Sequence, residues 1–154
     1  MIEITTVTNP TQLKQFVTFP FSLYKNCPYW VPPLIKDEME TLDSDKNPVF
    51  TNAEATYYLA HKDGKIAGRI AVIINHLEIN EQNKKKIRFG WFDVVDDIEV
   101  TKALLEKVYE KGRECNLEYA EGPVGFSNME KAGILVEGYE EMNTMITWYH
   151  FPYY

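Results

Sequence analysis

The chain has 154 residues, with 23 acidic and 16 basic side chains, and its formal net charge at pH 7 is −7. This charge argues against a nucleic-acid partner, because phosphate contacts need clustered Lys and Arg. No apolar run reaches the roughly 20 residues that a membrane-spanning helix needs, so no membrane association is expected. Two cysteines without motif spacing, and an N-terminus unlike a signal peptide, favour a cytoplasmic protein. The length favours a single domain, 1–154.

The first third of the chain predicts one strand and two helices. Residues 2–7 alternate as a short strand does. Asn9-Pro10 is expected to begin a helix, since Asn is a good cap and Pro is tolerated at the first helical position. Pro20 should end or kink that helix. A second helix is expected over 34–42.

Two segments are rich in aromatic side chains. Residues 21–33 mix aromatic rings with prolines. They form either an ordered loop that covers a sheet face or one wall of a ligand cleft. Residues 148–154 are almost entirely aromatic. Since such a cluster is unfavourable in open solvent, either its rings pack onto the core or the polypeptide originally continued.

A β-hairpin is the clearest local prediction. Residues 56–61 and 66–74 read as strands, and Asp63-Gly64 between them is typical of a two-residue turn. Arg69 interrupts the second strand and either neutralises a buried acid or points outward at the sheet edge. The following stretch, 75–86, is expected to be a polar loop in which Lys84-Lys85-Lys86 is solvated.

A strand, a helix and a parallel strand are predicted between residues 88 and 122. In the first strand, Phe89, Trp91 and Val95 should share one face, with Phe92 and Val94 on the other. The order of elements implies a right-handed crossover to a strand over 117–121. Residues 122–141 are glycine-rich and irregular, with one short helix expected near 128–132.

The helix of this unit has a well-defined start and an apolar stripe. Asp96 is expected to cap it, because Glu99 follows at the spacing of a capping box. Val100, Leu104 and Val108 recur every fourth residue and should face the core. Gly112 or Asn116 should end the helix.

Few residues suggest chemistry. The three histidines have no partner at metal-ligand spacing, so no metal site is expected, and no catalytic-serine or nucleotide-loop motif is present. The pair Asp96-Asp97 has two interpretations. It either caps the helix, or supplies a base in a cleft at the carboxyl edge of the sheet, with Thr101 and the amides of Ile98 and Glu99 beside it.

The element order resembles that of the GNAT superfamily of acyl-CoA-dependent N-acyltransferases, and several stretches resemble a bacterial group of longer GNAT-like proteins. These stretches are Phe19-Pro20-Phe21-Ser22-Leu23-Tyr24, Pro28-Tyr29-Trp30-Val31-Pro32-Pro33-Leu34, Gly68-Arg69-Ile70-Ala71, Phe89-Gly90-Trp91-Phe92-Asp93, Gly122-Pro123-Val124-Gly125-Phe126 and Pro152-Tyr153-Tyr154. The resemblance implies an α+β fold with a mixed, mostly antiparallel sheet flanked by helices. The superfamily's C-terminal helix and closing hairpin are expected to be missing from the domain.

The resemblance also implies acetyl-CoA or another acyl-CoA as co-substrate, and acyl transfer to an amine. The backbone of Val94 and Val95 would pair with the pantetheine arm. The start of the next helix, with Ile98, Glu99 and Thr101, would face the CoA pyrophosphate. The family pattern places a basic, glycine-rich turn there, whereas this chain has Asp96-Asp97-Ile98-Glu99. Each carboxylate at about 5 Å from a phosphate costs about 3 kcal/mol at an effective dielectric constant near 20.

Two alternatives remain open at this stage. One is a non-catalytic module that binds a partner chain through its aromatic surfaces, or pairs with a second copy through the exposed edge of strand 117–121. The other is a domain that binds a different small ligand in the same cleft, with Asp96 or Asp97 holding a cationic group.

Overall fold

The computed structural model describes all residues, 1–154, and contains five strands, four α-helices and a 3-10 turn (Pro48–Thr51). In chain order the others are β1 (Ile2–Thr6), α1 (Pro10–Leu23), α2 (Ile35–Thr41), β2 (Ala53–Lys62), β3 (Lys65–Asn75), α3 (His76–Asn80), β4 (Lys86–Val94), α4 (Ile98–Glu114) and β5 (Tyr119–Glu121).

The five strands form one sheet in the order β1-β2-β3-β4-β5. The strands β1 to β4 pair with one another in antiparallel orientation. β5 lies at the edge of the sheet and is parallel to β4. The mixed, mostly antiparallel sheet confirms the expected fold class. The parallel pairing of β4 with β5, which are joined through α4, is also as predicted.

The hairpin of β2 and β3 follows from its turn residues. Asp63 and Gly64 have φ angles of 53° and 76°, which are the positive values that a two-residue turn of this kind requires. Its strands cover ten and eleven residues and form the centre of the sheet. The most local strand pairing is therefore also the longest.

A separate apolar core lies on each face of the sheet. Val100, Leu104 and Val108 of α4 are all fully buried against one face, as the four-residue spacing predicts. The other face packs against α1, where Phe16 and Val17 are buried. The sheet is thus a middle layer between helices.

Pro20 does not end α1, so of the two expected effects, an end or a kink, the end was wrong. The helix continues to Leu23. A proline inside a helix leaves the carbonyl four residues earlier without its N–H donor, and here that carbonyl belongs to Phe16. The guanidinium Nη1 of Arg69 donates to it at 2.9 Å. A donor from β3 therefore allows the helix to pass through the proline.

The prediction that Phe89, Trp91 and Val95 share one face was wrong because β4 contains a bulge, whereas Phe92 and Val94 do lie opposite Trp91, as predicted. Trp91 has a φ angle of 45°, and the register with β3 shifts between Arg69 and Ala71. The extra residue reverses the alternation, so Trp91 packs with the α1 core. Phe89 and Val95 pack on the opposite, α4 side. Apolar residues do cover both faces, as expected for a central strand.

The region 75–86 is not simply a polar loop, because α3 forms within it. Lys86 opens β4 and is only 4% exposed, so the expectation that it is solvated was wrong. Its ammonium lies 3.0 Å from the carboxylate of Glu78, which also accepts from Arg88 at 2.5 Å. The negative charge of Glu78 thus balances the positive charges of the buried Lys86 and Arg88. The helical turn α3 is what brings Glu78 beneath β4.

The segment after β5 is irregular, as predicted, but no helix forms near 128–132. The aromatic residues at 148–154 do pack onto the core: Tyr149 and His150 are 5% and 1% exposed. Tyr24 stacks on Trp30, with ring centroids 5.3 Å apart, and contacts the ring of Phe151 at 5.0 Å. The two aromatic segments thus pack against each other.

Candidate functional site

The strands β4 and β5 part after a short pairing. β5 pairs only with Lys86–Arg88. The amide of Val124 then donates to the carbonyl of Phe89 at 2.8 Å, and the chain leaves the sheet. A Cβ atom at Gly90 would lie 2.4 Å from the carbonyl oxygen of Val124, so this close crossing requires glycine. Beyond it, the outer edge of β4 has no neighbouring strand.

Two tyrosine hydroxyls occupy the backbone of Val94 on this open edge. The N–H of Val94 donates to the hydroxyl of Tyr154 at 2.7 Å. The carbonyl of Val94 accepts from the hydroxyl of Tyr153 at 2.7 Å and lies 3.2 Å from that of Tyr154. Side chains therefore satisfy the groups that a neighbouring strand or an amide-bearing ligand would otherwise bind.

A buried polar network lies directly behind this edge. Arg69 donates through Nε to the Asp93 carboxylate at 2.8 Å, and its Nη2 lies 2.7 Å from the same oxygen. The other carboxylate oxygen accepts from the hydroxyl of Tyr24 at 2.9 Å. That hydroxyl lies 3.5 Å from the hydroxyl of Tyr154. The network resolves the open question about Arg69: it neutralises a buried acid.

The tyrosines and the histidine around the Arg69–Asp93 ion pair stay uncharged near neutral pH. Burial, aided by the negative charge of Asp93, raises the pKa of Tyr24 and of Tyr154 above the ordinary tyrosine value. Burial also raises the pKa of Tyr153 to about 12. Burial lowers the pKa of His150, although the charge of Asp93 opposes that shift. All three tyrosines can therefore donate hydrogen bonds.

A cavity of about 140 Å³ lies between the open edge and the start of α4, and we call it the edge cavity. Four of the five residues predicted to bind a cofactor line it together with the two tyrosines: Val94, Val95, Ile98 and Thr101. Glu99 does not line it, and its side chain is paired with Lys102 at 2.8 Å. The amide of Val95 is also taken, by the carbonyl of Ala67 at 2.9 Å.

The cap of α4 is Asp97, so the prediction of Asp96 was wrong. The carboxylate of Asp97 accepts from the amide of Glu99 at 3.0 Å and pairs with the ammonium of Lys62. The capping box needs a Glu at the third helical position. Because the helix starts at Ile98, Glu99 is at the second position, and the capping box does not form. An anion binding here would compete with the helix's own carboxylate.

A second, larger cavity lies on the α1 side of β4. Its volume is about 400 Å³, and we call it the tryptophan cavity; its lining includes Glu38, Trp91, Glu130, Met145, Ile146 and Trp148. The indole N–H of Trp91 donates to Glu38 at 2.6 Å. The ammonium of Lys131 lies 3.7 Å from the other oxygen of that carboxylate.

A row of rings connects the two cavities around the edge of β4. Trp91 contacts Trp148, with centroids 6.3 Å apart, and Trp148 lies 6.4 Å from the ring of His150. His150 in turn lies 4.6 Å from Tyr154. The opening between β4 and the departing chain is thus closed by aromatic side chains of residues 148–154.

Sequence reasoning missed most of this arrangement. It offered a buried acid for Arg69, and packing of the final rings on the core, each as one of two alternatives. It did not find that Asp93, Tyr24, Tyr153 and Tyr154 belong to one network. The available signal was Asp93 itself, the one charged residue in the second half of β4, residues 89–94. It stands opposite Arg69 in the register of β3 and β4.

No group of three or more His, Cys, Asp or Glu side chains is placed to hold a metal ion. None of the helices has the length and apolar character that crossing a bilayer would demand.

Two curated proteins are similar in sequence over most of the chain. Protein YghO of Escherichia coli (strain K12) is 33% identical over 137 residues, which are 89% of this chain and 35% of that protein. The bacterial ceramide synthase of Caulobacter vibrioides is 29% identical over 154 residues, which are 99% of this chain and 40% of that protein. The chain therefore spans about two fifths or less of these relatives. No protein-family model matches it.

Solved structures resemble the chain in fold. A tandem GNAT protein from the clavulanic acid biosynthesis pathway superposes with a TM-score of 0.60 at 15% identity, covering 81% of this chain and 40% of that one. A GNAT-family acetyltransferase from Staphylococcus aureus Mu50 gives a TM-score of 0.54 at 18% identity, with coverages of 80% and 74%. With a mixed five-stranded sheet between helices and these two likenesses, the chain has the fold of the GNAT acyltransferase superfamily.

Proposed function

We propose that the chain takes part in transfer of an acyl group from an acyl-CoA thioester to an amine. The observation that carries this proposal is the parting of β4 from β5, which leaves the backbone of Val94 without a strand partner on the side away from β3. A pantetheine arm contains two amide groups. It can make the hydrogen bonds that the hydroxyls of Tyr153 and Tyr154 make in this structure.

The chemistry of the proposed step is simple and needs no metal. The nitrogen of the amine attacks the thioester carbonyl, a C–N bond forms, and the C–S bond breaks. The amine loses its proton, and the departing thiolate takes one up to give the free thiol. The contribution of the protein is to hold the two reactants together and to stabilise the negative oxygen with backbone groups.

The acyl donor binds through its arm rather than through its pyrophosphate. The first turn of α4 is occupied by Asp97, which is itself paired with Lys62. A bound pyrophosphate would therefore meet a carboxylate in place of free amides. We expect acyl-pantetheine, which lacks the nucleotide, to bind about as tightly as the matching acyl-CoA.

The experiment is a titration of the chain with palmitoyl-CoA and with palmitoyl-pantetheine below their micelle concentrations, followed by calorimetry and by thermal melting. Comparable dissociation constants are the expected result. If neither thioester binds at any concentration up to its micelle concentration, the donor-binding proposal is wrong. If only the CoA ester binds, the pyrophosphate contributes to the affinity, and the proposal that Asp97 keeps it from the first turn of α4 is wrong.

Replacing Tyr153 and Tyr154 together by Phe should tighten thioester binding about fivefold to tenfold. The change removes two hydroxyls that compete for the backbone of Val94, and a net hydrogen bond contributes about 1 kcal/mol. Both rings remain, so their packing is preserved. The dissociation constant of palmitoyl-pantetheine for each variant is the measurement.

Tyr139→Phe is the matched control for this prediction. Its hydroxyl donates to the carbonyl of Leu135 at 3.1 Å, away from β4, so its removal should leave thioester binding unchanged. Unaltered affinity in the Tyr153→Phe/Tyr154→Phe variant would show that Val94 does not bind the donor. Catalysis would then have to use another part of the sheet.

The name of one relative suggests the first amines to test. A ceramide is the amide of a fatty acid and a long-chain amino alcohol, and the relative of 29% identity is named a bacterial ceramide synthase. Long-chain amino alcohols are therefore the acceptors to offer with a long-chain acyl thioester. Amide formation is followed by mass spectrometry.

An alternative function is supported by the same occupied groups. Because Val94 and the start of α4 are already satisfied by the chain itself, a non-catalytic module that binds a partner is also consistent with the geometry. The partner is either another protein chain on the aromatic surfaces or a second copy paired at β5, an edge strand. Light scattering after size-exclusion chromatography tests the second copy, since a clean monomer would contradict it.

A further inference from the structure

The tryptophan cavity has the size of a small-molecule site. Its volume of about 400 Å³ lies within the range of roughly 300–1,000 Å³ that ligand pockets occupy. It lies against Trp91, whose ring packs on the α1 side of β4, whereas the edge cavity touches Phe92 and Val94. The two cavities therefore lie on either side of one strand.

The charge of the tryptophan cavity favours a cation. Glu38 is held by Trp91 and by Lys131, the one basic residue of the lining. Glu130 accepts from the amide of Phe126 at 3.0 Å, and no Lys or Arg lies within ion-pair distance of it. Burial raises the pKa of Glu130, although hydrogen bonds from the amides of Phe126 and Ser127 and the charge of Arg88 oppose that shift. The lining contains two carboxylates, of Glu38 and Glu130, and one ammonium, of Lys131, so its net charge is negative.

The mouth of the cavity is apolar and exposed. Met129, Met145 and Ile146 are 94%, 51% and 78% exposed, although each lines the cavity. Exposed apolar side chains grouped at a pocket mark a binding surface more often than single ones do. The unbranched methionine side chain adapts readily to an alkyl chain.

We propose that the tryptophan cavity binds a primary ammonium group on Glu130, with an attached alkyl chain lying across Met129, Met145 and Ile146. A fatty acid is disfavoured by the two carboxylates, and a neutral alkane chain leaves Glu130 without a partner. A short polar amine leaves the apolar mouth uncovered. The inference rests on the proposed function in one respect: an amine held there is the acyl acceptor.

The test uses dodecylamine as the probe, titrated into the chain without any thioester and below its micelle concentration. Calorimetry gives the affinity, and the fluorescence of Trp91 and Trp148 reports contact with the cavity. Dodecylamine should bind about tenfold more tightly than dodecanol, which has the same chain and no charge, and more tightly than butylamine. Equal or tighter binding of dodecanoate would overturn the proposal.

Two variants separate the charge from the apolar surface. Glu130→Gln should weaken dodecylamine binding about tenfold and leave dodecanol unchanged, because only the charge is lost. Glu137→Gln, an exposed carboxylate of the same segment that does not line the cavity, should have no effect. Met145→Ser/Ile146→Ser, at exposed positions that tolerate polar residues, should weaken both ligands.

These experiments test the amine site separately from thioester binding at the edge cavity. Unchanged amine binding in Glu130→Gln, or in the double serine variant, contradicts the amine site. Since no thioester is present, the result is independent of donor binding. If dodecylamine binds as expected but no thioester binds at the edge cavity, the amine site stands and the acyltransferase proposal fails.

Discussion

Replacing Arg69 by Met should lower the free energy of unfolding by about 3–5 kcal/mol, the range for removing one partner of a buried ion pair. The side chains of Arg69 and Asp93 are 5% and 7% exposed, so the remaining carboxylate would keep no cation and little water. The carbonyl of Phe16 would lose its donor as well. Urea denaturation at pH 7 measures the effect, and it is the largest single-site loss that we expect.

The same substitution at an exposed arginine is the matched control. Arg113 pairs with Glu106 on the surface of α4, and both side chains are more than half exposed. Arg113→Met should change stability by no more than about 0.5 kcal/mol. In Arg69→Met/Asp93→Asn part of the loss should return, because no buried charge remains unpaired. A loss of less than about 1 kcal/mol in Arg69→Met would mean that the pair is not buried in solution.

Replacing Glu78 by Gln should have the second largest effect, also about 3 kcal/mol or more, since Glu78 lies between two buried cations. The side chains of Arg88 and Lys86 are 2% and 4% exposed. Gln keeps the shape and removes the charge, so Arg88 loses its only ion-pair partner. Glu54→Gln, at an exposed carboxylate that pairs with His76, is the control and should be nearly neutral.

The pH dependence gives an independent check on Glu78. Burial alone would raise the pKa of Glu78, but hydrogen bonds from Arg88 and Lys86 outweigh it and hold the pKa below the ordinary value of 4.5. A lowered folded-state pKa adds stability above pH 4.5, and that stability is lost as the pH falls through the folded-state pKa. The difference in unfolding free energy between the wild type and Glu78→Gln should therefore shrink in acid. A difference that stays constant down to pH 3 would contradict the assignment.

The elements that short-range rules govern were predictable. Asp63-Gly64 supplied the positive φ angles of the hairpin, and the spacing of Val100, Leu104 and Val108 supplied the buried face of α4. The parallel partner of β4 followed from the order strand, helix, strand. Each of these depends on residues close together in the sequence.

The errors came from contacts between distant residues. Pro20 ends an isolated helix, and only the donor from Arg69 makes its position tolerable. The sequence predicts a solvated Lys86, because it does not show that α3 brings Glu78 beneath β4 to pair with it. No local sequence pattern indicates the bulge at Trp91. A positive φ angle at a tryptophan is imposed by the residues packed around it, which the local sequence does not show.

The site was only partly predictable for the same reason. Val94 and Thr101 do lie at one cavity, as the resemblance implied, and their role in binding a donor stays a prediction. The hydroxyls of Tyr153 and Tyr154 reach Val94 across about sixty residues of sequence. No pattern of spacing connects positions so far apart.

The passage of α1 through Pro20 also has a consequence for how related sequences vary. The free carbonyl of Phe16 exists only because residue 20 is a proline, and its donor comes from residue 69. A relative with another residue at position 20 regains the helical hydrogen bond, and its guanidinium at position 69 becomes dispensable for that carbonyl. We therefore expect proline at position 20 to occur only where position 69 is arginine, whereas arginine at position 69 should remain without the proline because it also neutralises Asp93.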